Sequence, residues 1–276
     1  MPFEKVLILS LLRLRVNTGD TSKKLEFVFV PGAWHSPESF KPTTDILAAK
    51  GYKVHGISLK SVGASPHLED FQPDVETIRN KINSLLSTST PLILVYHSFS
   101  GVIGSSALDT YIATLSPSTT PFSPTGLIRR LVYIAAFCLP KSASLMGALN
   151  HKPLLWWSIS PDSRAVTCSN PYEIFYNDIP RNEAQKCVEM LKEQSYKTFD
   201  SPVTTEPWRH IPSTYVVCEE DKAIPLEAQL GMIRGAQEIA EGSFGTIERT
   251  NAGHSPFISQ PEWLAEILIK AAENPI

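Results

Sequence analysis

Ser98, His254 and an acidic trio are the residues of this chain whose types and settings suit nucleophilic chemistry. Ser98 stands in Val95–Tyr96–His97–Ser98–Phe99–Ser100–Gly101, directly after a continuous apolar run. A serine hydroxyl becomes a nucleophile when it is presented at a sharp turn, with a base to take its proton and an acid to orient that base. It also needs backbone N–H groups aimed at the developing oxyanion. A strand that runs straight into a helix, with serine at the junction, provides such a turn, and the helix N-terminus adds partial positive charge. His254, in Asn251–Ala252–Gly253–His254–Ser255–Pro256, is a base held in a loop. Glu219, Glu220 and Asp221 are three adjacent candidates for the acid.

The surrounding pattern positions these loops. Short apolar runs at residues 25–30, 53–57, 92–96, 131–135, 214–218 and 246–249 read as strands. Between them, residues 37–49, 75–86, 101–115, 226–240 and 261–272 have helical spacing, with Gly51 as a helix stop and Asp74 as an expected N-cap. Strands alternating with helices imply an α/β fold with a mostly parallel sheet covered on both faces, and such sheets bind ligands beyond the carboxyl ends of their strands. Ser98, the acidic trio and His254 all follow strands of this pattern. Residues 140–211 break the rhythm, with no core strand apparent, several prolines, paired aromatics and one amphipathic helix near residues 183–193. They read as an inserted helical cap (residues 140–211) on a core made of residues 1–139 and 212–276.

These motifs resemble the α/β-hydrolase superfamily. The segment Tyr96–His97–Ser98–Phe99–Ser100–Gly101 is similar to its nucleophile elbow, G-x-S-x-G, but carries Tyr96 and Ser100 in place of the two glycines. The loop Cys218–Glu219–Glu220–Asp221–Lys222–Ala223–Ile224–Pro225 resembles the family's acid loop and aligns Asp221 with the triad acid. The order Ser98, Asp221, His254 is that of the family. Val30–Pro31–Gly32–Ala33–Trp34–His35 resembles the loop that supplies the oxyanion hole. The resemblance assigns the donors to the backbone N–H groups of Ala33 and Phe99, each worth about 3 kcal/mol in such sites. It extends over nearly the whole chain from residue 25 and is nearest to the plant methylesterase and hydroxynitrile-lyase group and its microbial relatives. The lyases of that group carry threonine in the oxyanion loop and lysine after the catalytic histidine. Gly32 and Ser255 stand there in this chain, which points to the esterase branch.

The resemblance thus implies a cofactor-independent serine hydrolase of esters or lactones. Its rivals are a non-hydrolytic enzyme that uses the same residues for proton transfer, and a small-molecule receptor on the same fold. Trp156, Trp157, Phe175 and Tyr176 are candidates to line an apolar pocket, His35 is a candidate substrate contact, and His97 reads as structural.

The composition narrows the partners. Net charge is −3 with no Lys/Arg cluster, so a small-molecule substrate is expected rather than nucleic acid. The four cysteines, Cys138, Cys168, Cys187 and Cys218, lack zinc-ligand spacing, and no metal or cofactor site is expected. They read as reduced thiols of a cytoplasmic protein. The apolar run at residues 6–12 is too short to cross a bilayer and reads as an added strand or packing segment, with no membrane association expected. The sequence is compatible with a homodimer.

Overall fold

A computed structural model of the protein describes residues 25–115 and 126–273. The apolar run at residues 6–12 lies outside the described residues. Six parallel strands form the central sheet: β1 (Glu26–Val30), β2 (Lys53–Gly56), β3 (Leu92–His97), β4 (Ile128–Ile134), and two later strands, β8 (Ser213–Cys218) and β9 (Thr246–Thr250). Their order across the sheet is β2-β1-β3-β4-β8-β9. Parallel neighbours need crossovers, to which the helices contribute: α1 (Lys41–Ala49), α2 (Gln72–Leu86), α3 (Ser100–Ala107), α4 (Asp109–Ala113) and α8 (Leu226–Ile239), while α9 (Pro256–Ser259) and α10 (Pro261–Glu273) follow the last strand.

Alternation along buried strands feeds two cores. In β1, Phe27 and Phe29 pack with Phe40, Phe257, Leu264 and Leu268 on one face. Val28 and Val30 face the opposite core, with Ile78 of α2, Val102 of α3 and Ile233 of α8. Because side chains two apart share a face, one five-residue strand joins both layers.

Three local features differ from the sequence reading. Asp74 does not cap α2. It lies inside the first turn, fully buried, and its carboxylate accepts hydrogen bonds from the backbone N–H of Ser61 (3.0 Å) and of Lys60. The helix begins earlier, at Gln72, whose N–H donates to Asp70 Oδ1 at 2.8 Å. The helix expected over residues 101–115 is broken at Leu108 into α3 and α4. Ser105 and Ser106 bond back to the carbonyls of Gly101 (2.6 Å) and Val102 (3.1 Å), a pattern that bends helices.

The third difference is the insertion between β4 and β8. Expected to be helical, it holds α5 (Leu145–Ala148), α6 (Pro171–Phe175) and α7 (Arg181–Met190), but also a three-stranded antiparallel sheet. Its strands are β5 (Trp157–Ile159), β6 (Ala165–Cys168) and β7 (Gln194–Ser195). Strands of two to four residues are too short to show alternation in sequence. The aromatic residues of the insertion join the same core as Val28 and Tyr96, so it is packed onto the sheet rather than tethered to it. Among the described residues, no helix is long and apolar enough to cross a membrane.

Candidate active site

The elbow is built at the carboxyl end of β3. Ser98 has φ +55°, in the left-handed region, and the surrounding backbone over-determines this conformation. The Ser98 carbonyl accepts from Gly101 N (3.2 Å) and Phe137 N (3.0 Å), and Ser98 N donates to Ile134 O at 3.3 Å. Ser100, in place of an elbow glycine, contributes polar contacts that glycine lacks. Its hydroxyl lies 2.7 Å from the Val30 carbonyl and 2.8 Å from that of His97, and it accepts from His97 N at 2.9 Å. It therefore ties the elbow to the strand that leads into the oxyanion loop. Glycine is needed at 32, where a Cβ would stand 2.8 Å from Ser98 Cβ.

Tyr96, the other departure from the elbow pattern, is accommodated one helical turn further on. Its ring is fully buried over Gly104, where a Cβ would lie 2.6 Å from Tyr96 Cδ1, and its hydroxyl donates to Gly104 O at 3.2 Å. The small residue that close helix–strand packing requires has been moved from 96 to 104. Gly104→Ala is therefore expected to destabilise the fold by about 1–3 kcal/mol through overpacking, read as a lower urea midpoint with an unchanged slope.

The base and acid meet in the loops that follow β9 and β8, against His97, the neighbour of Ser98. His254 Nδ1 donates to Asp221 Oδ2 at 2.8 Å, and both residues are buried. Because the carboxylate can only accept, this bond fixes the tautomer and leaves Nε2 as the basic nitrogen. Asp221 Oδ1 accepts from Ala223 N (2.7 Å) and Ile224 N (3.0 Å), which immobilises the acid. Glu219 instead pairs with Arg249, and Glu220 points to Lys222. Of the acidic trio, only Asp221 reaches the histidine. Among the described residues, the Ser98 hydroxyl has no hydrogen bond to His254, a looseness common before substrate binds.

His97 supports this pair from below. Its Nε2 donates to the His254 carbonyl at 2.9 Å, and the two rings lie 4.5 Å apart. Burial holds the His97 imidazole well below its usual range, and burial likewise lowers His35 to about 4. Both rings are neutral when folded, whereas the unfolded chain protonates them as pH falls below about 6.5. Their contribution to stability is complete above that pH and is lost progressively towards pH 4. The urea midpoint is expected to fall between about pH 7.5 and pH 5.

The N–H groups of Ala33 and Phe99 flank Ser98. Both residues are buried, and among the described residues neither N–H has a hydrogen-bond partner. Buried, unpartnered N–H groups are rare, and two beside one serine are available to an incoming oxyanion. A narrow, largely apolar pocket lies over Ser98, Ala33 and Phe99. Its walls include Trp34 and, from the insertion, Trp156, Trp157, Phe175 and Phe199.

The structure thus brings Ser98, Ala33, Phe99, Trp156, Trp157 and Phe175 to one cavity, and the ring of Phe175 lies 5.6 Å from that of His254. His35 and Tyr176, expected as substrate contacts, do not line it. Both are buried, and they hydrogen-bond to each other at 2.9 Å. Trp34, Phe137 and Phe199 also line the cavity without having been singled out in sequence. Trp34 had a signal, being next to Ala33 in the oxyanion loop. Among the described residues, no cluster of His, Cys, Asp or Glu is arranged to hold a metal, and all four cysteines are free thiols.

Comparison with known proteins agrees with this architecture. The chain is 29% identical to the alpha/beta hydrolase nvfD of Aspergillus novofumigatus (strain IBT 16806), over 92% of this chain and 98% of the relative. It is 24% identical to Methylesterase 1 of Arabidopsis thaliana, over 92% and 98% of the two chains. It is 23% identical to norfluorocurarine synthase 2 of Strychnos sp, over 95% and 100%. Among solved structures, a pyrethroid hydrolase from Sphingobium faniae JZ-2 superposes with a TM-score of 0.68 at 20% identity, over 91% of this chain and 99% of that one. The family model for the alpha/beta hydrolase family matches residues 27–267, the span that holds the elbow, the sheet and all three loops, and the chain belongs to that family.

Proposed function

We propose that the protein is a serine hydrolase that cleaves an ester or lactone of a small, apolar molecule. The observation that carries this reading is the buried His254–Asp221 pair, joined through His97 to the Ser98 elbow, whose two neighbouring N–H groups lack partners among the described residues. His254 Nε2 takes the Ser98 proton as Oγ attacks the carbonyl carbon. The oxyanion is met by the N–H groups of Ala33 and Phe99. The protonated His254 then gives its proton to the leaving alcohol, and a water deprotonated by the same nitrogen releases the acid from Ser98. The nucleophile, base, acid and oxyanion donors are all groups of this chain.

The cavity sets the substrate class. Its aromatic walls offer area to apolar groups and no charge to pair with an ionic one. The relatives named as a methylesterase and a pyrethroid hydrolase favour ester cleavage, and Gly32 and Ser255 agree with it. The relatives named norfluorocurarine synthase favour a second reading, in which His254 serves as a proton-transfer base and Ser98 forms no covalent bond.

A panel of p-nitrophenyl esters and lactones, combined with a fluorophosphonate probe, separates the readings. Turnover of short apolar esters with stoichiometric labelling of Ser98 is expected. Substrate conversion with Ser98 unlabelled would favour proton transfer, whereas ligand binding without turnover on the whole panel would favour a receptor.

A further inference from the structure

Four consecutive residues of the insertion each touch one of the loops that carry the candidate catalytic groups. The Phe175 ring lies 5.6 Å from that of His254, inclined at 34°. The Tyr176 hydroxyl is 2.9 Å from His35 Nε2, and His35 Nδ1 is 2.8 Å from the carbonyl of Ala33. Asn177 Nδ2 donates to the Glu220 carbonyl at 3.1 Å, one residue before Asp221. Asp178 Oδ2 accepts from the N–H of Gly253 at 2.8 Å, one residue before His254.

The chemistry of each contact fixes its direction. A carbonyl can only accept, so His35 Nδ1 carries the proton and Nε2 is left to accept from the Tyr176 hydroxyl. His35 is buried and neutral, so it serves as a rigid spacer between the insertion and the oxyanion loop. Gly253 marks how closely the two sides approach. A Cβ there would collide with Asn177 Oδ1 and lie 2.7 Å from Asp178 Oδ1. Acid and histidine loops are also joined directly, Glu220 N donating to Ala252 O at 3.0 Å, so a displacement of one is felt by the other.

We propose that residues 175–178 act as a positioning clamp, through which the seated insertion sets the oxyanion, acid and histidine loops in register. None of Tyr176, Asn177 or Asp178 lines the cavity, so they act through Ala33, Asp221 and His254 rather than on substrate. The proposal rests on the hydrolase reading for its effect on rate, but its structural claim stands apart from that reading. Misplacement of a catalytic group by about 1 Å can cost roughly 100-fold in rate, which sets the scale of the expected losses.

The test uses the full-length chain, p-nitrophenyl butyrate as substrate, and hydrogen exchange followed by mass spectrometry. Asp178→Ala is expected to lower kcat by roughly 10- to 100-fold with little change in KM, and to speed exchange across residues 250–256. Asp178→Asn, whose amide oxygen still accepts from Gly253 N–H, is expected to restore both. Tyr176→Phe, which removes one hydroxyl and keeps the ring, is expected to lower kcat and to speed exchange across residues 30–36. Wild-type kcat and exchange in Asp178→Ala, or losses that Asp178→Asn does not recover, would overturn the clamp. Should Asp178→Ala fail to fold, Tyr176→Phe decides, and unchanged kcat and exchange in that variant would overturn the proposal. If the wild-type protein neither turns over esters nor takes the fluorophosphonate, the hydrolase reading falls, and the exchange measurements alone decide for or against the clamp.

Discussion

Ser98→Ala is expected to lower kcat for p-nitrophenyl ester hydrolysis by on the order of 10⁶-fold, the scale of loss when a triad nucleophile is removed. The substitution deletes one oxygen and keeps the Cβ that packs against Gly32, so folding should be unaffected. Equal urea midpoints for the two proteins would show that the loss is chemical. Residual catalysis of roughly 10³- to 10⁴-fold over water would remain from the Ala33 and Phe99 N–H groups and from substrate binding. The fluorophosphonate adduct must also disappear. A Ser98→Ala protein that still hydrolyses esters at a tenth of the wild-type rate would remove Ser98 from the mechanism.

Asp221→Asn carries the second-largest effect, a loss of about 10⁴-fold in kcat. Asp221 Oδ1 accepts from the N–H groups of Ala223 and Ile224, and an asparagine oxygen will take that place. The amide NH₂ then faces His254 Nδ1, where the carboxylate oxygen now accepts. An NH₂ group donates, so the imidazole flips to the tautomer with its proton on Nε2 and presents a proton, rather than a lone pair, to Ser98. Geometry is preserved while the base is disabled. The losses in Asp221→Asn and Ser98→Ala should not multiply, because the residues act as one unit. A double variant much slower than Ser98→Ala alone would contradict this. Steady-state kinetics of the two single variants and the double variant are sufficient.

Both predictions bear on the chemistry that Tyr96 and Ser100 left open. An elbow without its glycines could have turned Ser98 away from attack. Ser98 nonetheless holds φ +55°, because Ser100 supplies hydrogen bonds and Gly104 receives the Tyr96 ring. The residue replacing each glycine is matched by a compensating contact, and the nucleophile conformation is kept.

The amino-acid sequence by itself determined the six strands of the sheet and the loops that end three of them. Those features are local: apolar runs mark the buried strands β1, β3, β4 and β8, while the edge strands β2 and β9 are more polar and partly exposed. A serine, an aspartate or a histidine placed just after a strand is carried to one end of a parallel sheet. The bond that selects Asp221 over Glu219 and Glu220 spans 33 residues, and no periodicity reports it. The antiparallel sheet of the insertion, the buried bonds of Asp74 and the pairing of Tyr96 with Gly104 were decided only in the tertiary structure. So were the roles of His35 and Tyr176, whose residue types suggested a pocket and whose bond spans 141 positions. Asn177 and Asp178 reach across 43 and 75 positions to the loops they hold. Local patterning specifies which backbone forms. Which polar side chain finds which loop depends on how the insertion packs onto the sheet, and that information exists only once both have folded together.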